Sequence, residues 1–442
     1  MTSKIDAVVH KVAWRILPLT LVLYFIAYLD RVNIGFAAAA MRRDLGYSGT
    51  LFGTASGVFF AGYLCAQLPS NLALRRFGAR KWIAIIMAVW GVLSGLVAFT
   101  HTPTEFLVLR FLLGVAEAGF YPGIIYYLSI WLPRSQRTQL IAWFIFAIPL
   151  ANILGGPLSS AILHHGAVAG LRDWQILLIA ECLPALFFSV IVPFCMTDRP
   201  QQAQWLSEDE RIALRTAIAA GEQKASEIGY TGTEASLYAS AAIYLFALVY
   251  FTTQIGLYGL VFWLPQMLSG LGLPQLQVGW TVAAVFLLAA VIMFMWSRLS
   301  DSKGQPSWGL SAPIAISAIG FLLSIPATHV SGTIGIAMLV TSFALAEGGG
   351  LAATPALWSA VTLQFPGELG APAIALVNAL GNLGGFVGPF LLGWLSDRGH
   401  GYSSGLVTVA LLLFIGAGLA VIVQRRASSY HLGAPPSESP TN

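Results

Sequence analysis

The stretch Leu17 to Ala40, LPLTLVLYFIAYLDRVNIGFAAAA, is long enough to cross a bilayer, yet it carries an acid and a base, Asp30 and Arg31, in its interior. A helix crossing the hydrocarbon needs about 20 mostly apolar residues. Each charge near its centre costs roughly 2.5 to 3.5 kcal/mol even on the lenient insertion scale. Both side chains must therefore face protein or water and find partners elsewhere in the chain. A second apolar run, RFLLGVAEAGFYPG, offers a set. Arg110 and Glu117 lie seven residues apart, about two helical turns, and so return to one face, with Gly114 on the same stripe.

These runs are two of many. The 442 residues are 57% hydrophobic and 10% charged, against about 25% charged in soluble domains, which makes this a polytopic membrane protein. Apolar runs give about twelve spans, near 14–40, 51–74, 82–99, 104–132, 138–163, 174–196, 239–266, 276–298, 310–328, 332–363, 370–395 and 403–423. An even number of spans puts both ends on one side, so the loops can be tested for charge asymmetry. Of the 23 Lys and Arg, Arg31 and Arg110 lie inside spans and only Arg42, Arg43, Arg172 and Arg398 fall on one side. All the others, from Lys4 and Lys11 through Arg75, Arg76, Arg134, Arg137 and Lys303 to Arg426, fall on the other. The positive-inside rule then places both termini in the cytoplasm. The start, MTSKIDAVVHKVAW, lacks the pattern of a cleaved signal peptide, and the first helix is expected to stay as an anchor. Cys65, Cys182 and Cys195 lie in or beside apolar runs without ligand spacing, so neither a disulfide nor a metal site is expected.

The only long polar break divides the chain into a six-helix bundle (1–196), a cytoplasmic linker (197–238), a second six-helix bundle (239–424) and a disordered cytoplasmic tail (425–442). In the linker, Ser207 and Glu210 form a capping-box pattern before RIALRTAIAA, which predicts a short helix with a solvated charged face. The halves echo each other: PSNLALRRFGARKW closes the second span and WSRLSDSKGQPSW the eighth, each a basic loop opening on Asn71 or Asp301. Repeated halves around a central linker mark a transporter built from two bundles; the competing reading of the two loops is that any short cytoplasmic loop collects Arg and Lys.

YLDRVNIGFA, PSNLALRRFGARKW, RFLLGVAEAGFYPG, LRDWQILLIAECLPA, DRPQQAQWLSEDER, YGLVFWLPQ and NALGNLGGFVGPFLLGWLSDR together resemble the anion:cation symporter family of the major facilitator superfamily, over about Val12 to Val423. That family includes bacterial permeases for sugar acids, tartrate, phthalate and hydroxyphenylacetate. The resemblance implies an all-α major facilitator fold of twelve transmembrane helices. It also implies that Asp30 and Glu117 are proton-coupling carboxylates, that Arg31 contacts the substrate carboxylate, and that Arg110 partners the acids. Tyr63, Trp358, Asn378 and Asn382 match substrate-cavity positions of the family.

The residues support that reading on their own. Arg31 shares a helix face with Tyr24, Tyr28 and Gly35, a cation flanked by aromatic groups and a small residue. A guanidinium there offers a planar fork to a carboxylate; the competing reading is a structural ion pair pinning the helix. Burial favours the protonated form of a carboxyl and a nearby Arg the ionised one, so moving the Arg or adding an anion changes proton affinity. Tyr63 could equally be an aromatic packing residue. Asn378 and Asn382 share a face, and Gly381, Gly384, Gly385 and Gly388 read as close helix packing rather than a nucleotide loop.

Glu347, in FALAEGGGLAATPALW, departs from the family pattern: a third deep acid with no new base, expected to hold its proton at rest. It is read as an extra proton or substrate-hydroxyl site, or else as a residue of a wet vestibule. Pro355 and Leu357 stand where relatives often carry hydroxyls, which leaves a less hydroxylated or aromatic carboxylate open as substrate. Glu105 and Glu181, the latter placed near the outer end of the sixth span, are read as structural, and His164 and His165 as solvated.

No GxSxG, HExxH or Walker-type loop occurs, so the chain is not expected to be an enzyme. The expectation is a monomeric, proton-coupled importer of a small organic anion, embedded in membrane lipid at the cell's inner (plasma) membrane. It needs no cofactor beyond protons and binds no nucleic acid. The alternatives are an antiporter or efflux carrier for an anionic or drug-like compound, and a carboxylate receptor that does not transport.

Overall fold

The computed structural model describes residues 2–133, 140–141, 143–227, 234–302, 308–365 and 369–432. Arg134, Arg137, Lys303, part of the expected linker and most of the expected tail lie outside those residues. Among the described residues the protein is helical, with a single β-bridge between Val168 and Leu171. The helices are α1 (Thr2–Leu45), α2 (Gly49–Phe77), α3 (Ala79–Val97), α4 (Pro103–Glu117), α5 (Phe120–Trp131), α6 (Ala147–His164), α7 (Asp173–Cys195), α8 (Glu208–Glu227) and α9 (Glu234–Ala239). They continue as α10 (Ala241–Gly270), α11 (Gln275–Ser302), α12 (Ser311–Ala327), α13 (Gly332–Gln364), α14 (Gly370–Gly381), α15 (Gly384–Leu395) and α16 (Gly401–Leu432).

Eleven helical segments among these residues are long and apolar enough to span a membrane, and the shorter α12 accounts for the remaining expected run. The fourth run is broken into α4 and α5 at Ala118 and Gly119, and the eleventh into α14 and α15 at Asn382 and Leu383. The last helix continues to Leu432, past the expected boundary at 425.

The surface is inverted relative to a soluble fold. Phe194 (85% exposed), Ile334 (70%), Leu68 (70%) and Trp280 (67%) face outward while Asp30, Arg110, Glu117, Glu181 and Glu347 are buried. Outward apolar side chains meet lipid, and the polar groups lipid would reject are gathered inside.

Local signals set the helix ends. Thr102 caps α4: its hydroxyl accepts from the Glu105 amide at 3.2 Å, and the Glu105 carboxylate accepts from the His101 and Thr102 amides at 2.8 and 3.3 Å. That is the structural role expected of Glu105. Ser207 and Glu210 form the expected capping box of α8. Glu210 also receives Lys11 at 2.8 Å, so part of that face ties the linker to α1 rather than standing free in solvent. The Lys11 ammonium, with the Ser207 amide, holds the Glu210 carboxyl below the usual carboxylate range. Asp198 accepts from the Arg80 amide at 2.8 Å at the start of α3, beside Gly78, whose φ of 85° suits the turn between α2 and α3.

The chain divides into two compact units. The first comprises Met1–Gly229, Tyr258–Leu287 and Gly385–Gly405; the second comprises Tyr230–Leu257, Leu288–Gly384 and Leu406–Asn442. In the first, small residues let backbones approach. A Cβ on Gly62 would land on the Phe111 carbonyl and one on Gly53 on the Pro389 carbonyl. In the second, Gly320 and Gly349 do the same between α12 and α13, where Ser317 donates to the Ala346 carbonyl at 2.5 Å.

Asp397 joins two stretches of the first unit. Its carboxylate accepts from the Gly49 amide (2.8 Å), the Thr50 amide (2.6 Å) and the Thr50 hydroxyl (2.7 Å), with Arg42 3.8 Å away. Ser48 caps the next free amide, that of Leu51. The first turn of α2 thus gains an anion where the helix end carries partial positive charge. Asp397→Ala is expected to speed hydrogen exchange of the Gly49 and Thr50 amides by about tenfold or more, since a charged hydrogen bond is worth about 1.5 to 3 kcal/mol. Unchanged exchange would deny the contact that role.

Candidate functional site

The buried charges of the first unit collect where α1, α2, α3 and α4 meet. Asp30 and Arg31, about 100° apart on α1, go to different partners. Arg31 donates through Nη2 and Nε to Glu117 Oε2, at 2.7 and 3.2 Å. Asp30 Oδ1 accepts from the Ser94 hydroxyl at 2.5 Å and from the Asn33 amide at 3.3 Å. Arg110, Gly114 and Glu117 are all buried on one stripe of α4, as their spacing predicts. Arg110 donates to the Ala55 carbonyl at 3.2 Å and lies within electrostatic reach of both Glu117 and Asp30.

Both bonds from Arg31 go to one oxygen of Glu117, so the pairing is not the fork-to-fork arrangement of a fully satisfied pair. Glu117 Oε1, Asp30 Oδ2 and Arg110 Nη2 keep no hydrogen-bond partner in the protein. Buried polar atoms left unpaired are costly, and here they sit beside a guanidinium that has donors to spare.

Aromatic groups line this charge cluster. The Arg31 guanidinium carbon lies 5.2 Å from the Phe59 ring centre, 5.6 Å from Tyr63 and 5.8 Å from Tyr28, and Arg110 lies 5.2 Å from Phe59. Phe59 thus lies within cation–π distance of both arginines. Tyr24, expected on the Arg31 face, stacks on Phe144 at 4.6 Å and sits 5.4 Å from Tyr121. Tyr258, 4.4 Å from Phe60, is close enough to interact electrostatically with Arg31, Tyr24 and Tyr63. Gly35 abuts the Phe262 backbone. The result is a cation, with an acid attached, surrounded by rings and hydroxyls.

Sequence reasoning missed Ser94, Asn33, Phe59 and Tyr258. The only signals available were polar residues in apolar runs, too common to rank. It also placed Glu181 near a helix end, whereas Glu181 is buried roughly 12 Å along α7 at 1.5 Å per residue.

The other candidates lie in the second unit. Trp358 packs edge-on to Tyr250 with ring centres 4.9 Å apart, and Asn382 accepts from the Gln254 amide at 3.1 Å. Asn378 lies one turn before Asn382 on α14 and is half-buried. Glu347 is 3% exposed, which rules out the wet vestibule, and its Oε2 has no hydrogen-bond partner. Leu357 is buried and Pro355 exposed. His164 and His165 are exposed, as expected. Among the described residues no cluster of His, Cys, Asp or Glu could hold a metal ion.

Comparison with known proteins fits this anatomy. The Major Facilitator Superfamily model matches residues 20–389 and 246–440. The chain belongs to that superfamily. Among its relatives is an Agrobacterium vitis protein named "Putative tartrate transporter", 43% identical over 96% of this chain and 93% of the relative. An Acinetobacter baumannii protein named "Quinolone resistance transporter" is 31% identical over 94% of each chain. A bacterial homologue of the human lysosomal transporter Spinster superposes with a TM-score of 0.76 at 16% identity, covering 95% of this chain and 98% of that one. The last likeness shows the fold. The chain is thus a multi-pass transporter of the Major Facilitator Superfamily and not an enzyme.

Proposed function

We propose that this protein imports a small organic anion, a dicarboxylate of the tartrate class, together with protons by alternating access. The observation that carries the reading is the buried Arg31–Glu117 pair at 2.7 Å, with Asp30 on the adjacent residue. A substrate carboxylate competes with Glu117 for the Arg31 fork. Once displaced, Glu117 has lost its counter-ion in a desolvated site and takes a proton. Anion and proton then raise each other's affinity, which is the linkage a symporter requires. The tyrosine hydroxyls around Arg31 suit the hydroxyl groups of such an acid, and the relative named for tartrate favours this class.

In this reading the bundles 1–196 and 239–424 are the moving halves, both termini face the cytoplasm, and the protein works as a monomer in the inner (plasma) membrane. Tyr63, Trp358, Asn378 and Asn382 contact substrate, Arg110 steadies the acids, and Glu347 is an additional proton or substrate site. Protons are the only coupling ion and no cofactor is required. The quinolone-resistance relative favours a second reading, efflux by exchange, in which protons enter the compartment that the cargo leaves.

The test is proton entry into proteoliposomes loaded with a pH dye and challenged with tartrate, other dicarboxylates, sugar acids, aromatic carboxylates and a quinolone. Tartrate is expected to drive proton entry in the wild type. Asp30→Asn and Glu117→Gln are expected to lose proton entry while retaining tartrate counterflow. Proton movement driven by quinolone alone, or coupling that survives both substitutions, would overturn the symport reading.

A further inference from the structure

The first compact unit takes two stretches from beyond the linker, Tyr258–Leu287 and Gly385–Gly405, and groups them with the helices that precede it. Three close crossings hold them there. On α2, Gly53 and Gly57 lie against the Pro389 and Phe386 carbonyls of α15. On α1, Gly35 lies against the Val261 and Phe262 carbonyls of α10, and Gly156 of α6 and Gly279 of α11 each lie against the other's carbonyl. All three crossings fall toward one end of the molecule, where α1, α6, α10 and α15 stop and α2 and α11 start.

Backbones that touch this closely gain dispersion but few directed bonds. Two charged side chains supply directed bonds at the same end. Asp397, just past α15, accepts from the Gly49 amide at 2.8 Å and from the Thr50 amide and hydroxyl at 2.6 and 2.7 Å. Arg42, near the end of α1, stands 3.8 Å from Asp397 and donates to Gln266 Oε1 of α10 at 3.3 Å. Its guanidinium lies 5.7 Å from the centre of the Trp263 ring, which meets Phe52 of α2 edge-on at 5.7 Å and donates to the Pro389 carbonyl at 3.0 Å. Hydrogen bonds to a carboxylate are about twice as strong as neutral ones, and here two of the three come from the positive end of a helix. A carrier that shows its site to each side in turn must part its halves at each end once per cycle. At this end, parting α2 from α15 breaks all three bonds to Asp397 together.

We propose that Asp397 is the bolt of an outer gate: seated on the first turn of α2, its carboxylate holds the three crossings together and sets how rarely the carrier opens to the outside. Because several bonds break at once, the outward-open arrangement is the minor state, and weakening the bolt shifts the population toward it. The inference rests on the alternating-access reading and on cytoplasmic termini, which make this end the outer one. It requires neither a particular substrate nor proton coupling, so its test is independent of both.

Ser160 of α6 provides the probe. It is fully buried against Gly279, and its hydroxyl has no hydrogen-bond partner in the protein, so Ser160→Cys costs no bond. In bacterial spheroplasts, with Cys65→Ala, Cys182→Ala and Cys195→Ala as background, that thiol is challenged from outside with a membrane-impermeant maleimide. Labelling is expected to be slow with Asp397 intact. Asp397→Asn replaces a charged acceptor by a neutral amide and should speed labelling by about tenfold or more; Thr50→Val removes only the hydroxyl donor and should speed it by a smaller factor. If Asp397 were merely a local cap, its loss would loosen the Gly49 and Thr50 amides and leave Ser160, on a different crossing, labelling at the unchanged rate. His165→Cys, exposed at the end of α6, reports the side. When it labels from outside and Asp397→Asn leaves the Ser160→Cys rate unchanged, the bolt is overturned and alternating access stands. When His165→Cys is reached only from the cytoplasmic side, the orientation falls and the outer gate with it. Ser160→Cys labelling as fast as His165→Cys with Asp397 intact also overturns the proposal. Should Asp397→Asn fail to fold, an unchanged rate in Thr50→Val overturns it.

Discussion

Arg31→Ala is expected to abolish tartrate binding. A guanidinium–carboxylate contact supplies two charge-assisted hydrogen bonds of about 1.5 to 3 kcal/mol each, so affinity should fall by at least about a hundredfold. The same change strips Glu117 of both its bonds and leaves a carboxylate buried without a counter-ion. Breaking one side of a buried pair costs about 3 to 5 kcal/mol, so the detergent-solubilised protein should also melt earlier. The two effects can be separated. Arg31→Ala combined with Glu117→Gln removes the stranded charge and should recover most of the thermal stability without recovering binding. If the double variant binds tartrate within about tenfold of wild type by calorimetry (about 1.4 kcal/mol), Arg31 is a structural pin and not the anion anchor.

Gly114→Val should act on folding rather than chemistry. A Cβ at Gly114 falls on the Phe59 carbonyl, and across the same crossing a Cβ at Gly62 falls on that of Phe111. Neither obstacle is a flexible side chain, so α2 and α4 would have to separate. Overpacking a close crossing costs about 1 to 3 kcal/mol and sometimes more, and here both helices carry site residues, Phe59 and Tyr63 on one, Arg110 and Glu117 on the other. The expected result is loss of the monodisperse peak on size-exclusion chromatography, with Gly114→Ala milder. Gly418→Ala, where nothing lies within 4 Å of the added carbon, is the matched control and should leave the peak unchanged. A Gly114→Val protein of normal yield and melting temperature would mean that the helices can separate at little cost.

Much of this protein could be read along the chain because the bilayer makes strict demands. Helix count followed from the length of apolar runs, and the stripe of Arg110, Gly114 and Glu117 from helical spacing. The caps at Thr102–Glu105 and Ser207–Glu210 are local, closed within three residues, and so were visible too. What sequence could not supply was the choice of partner. Arg31 pairs with Glu117 across 86 positions, Asp30 takes Ser94 across 64, and Glu181 takes Ser159 across 22. Those choices depend on the rotation and crossing of helices. In a membrane protein the lipid face and the packed face are both apolar, so hydropathy does not reveal the rotation.

The sequence by itself determined that this chain spans a membrane, that it buries acids and bases at a cost only protein partners can offset, and which apolar runs its membrane helices are built from. The tertiary structure alone decided which acid meets which base. Charge neutrality in a low-dielectric interior is a property of the assembled cluster and of no single segment.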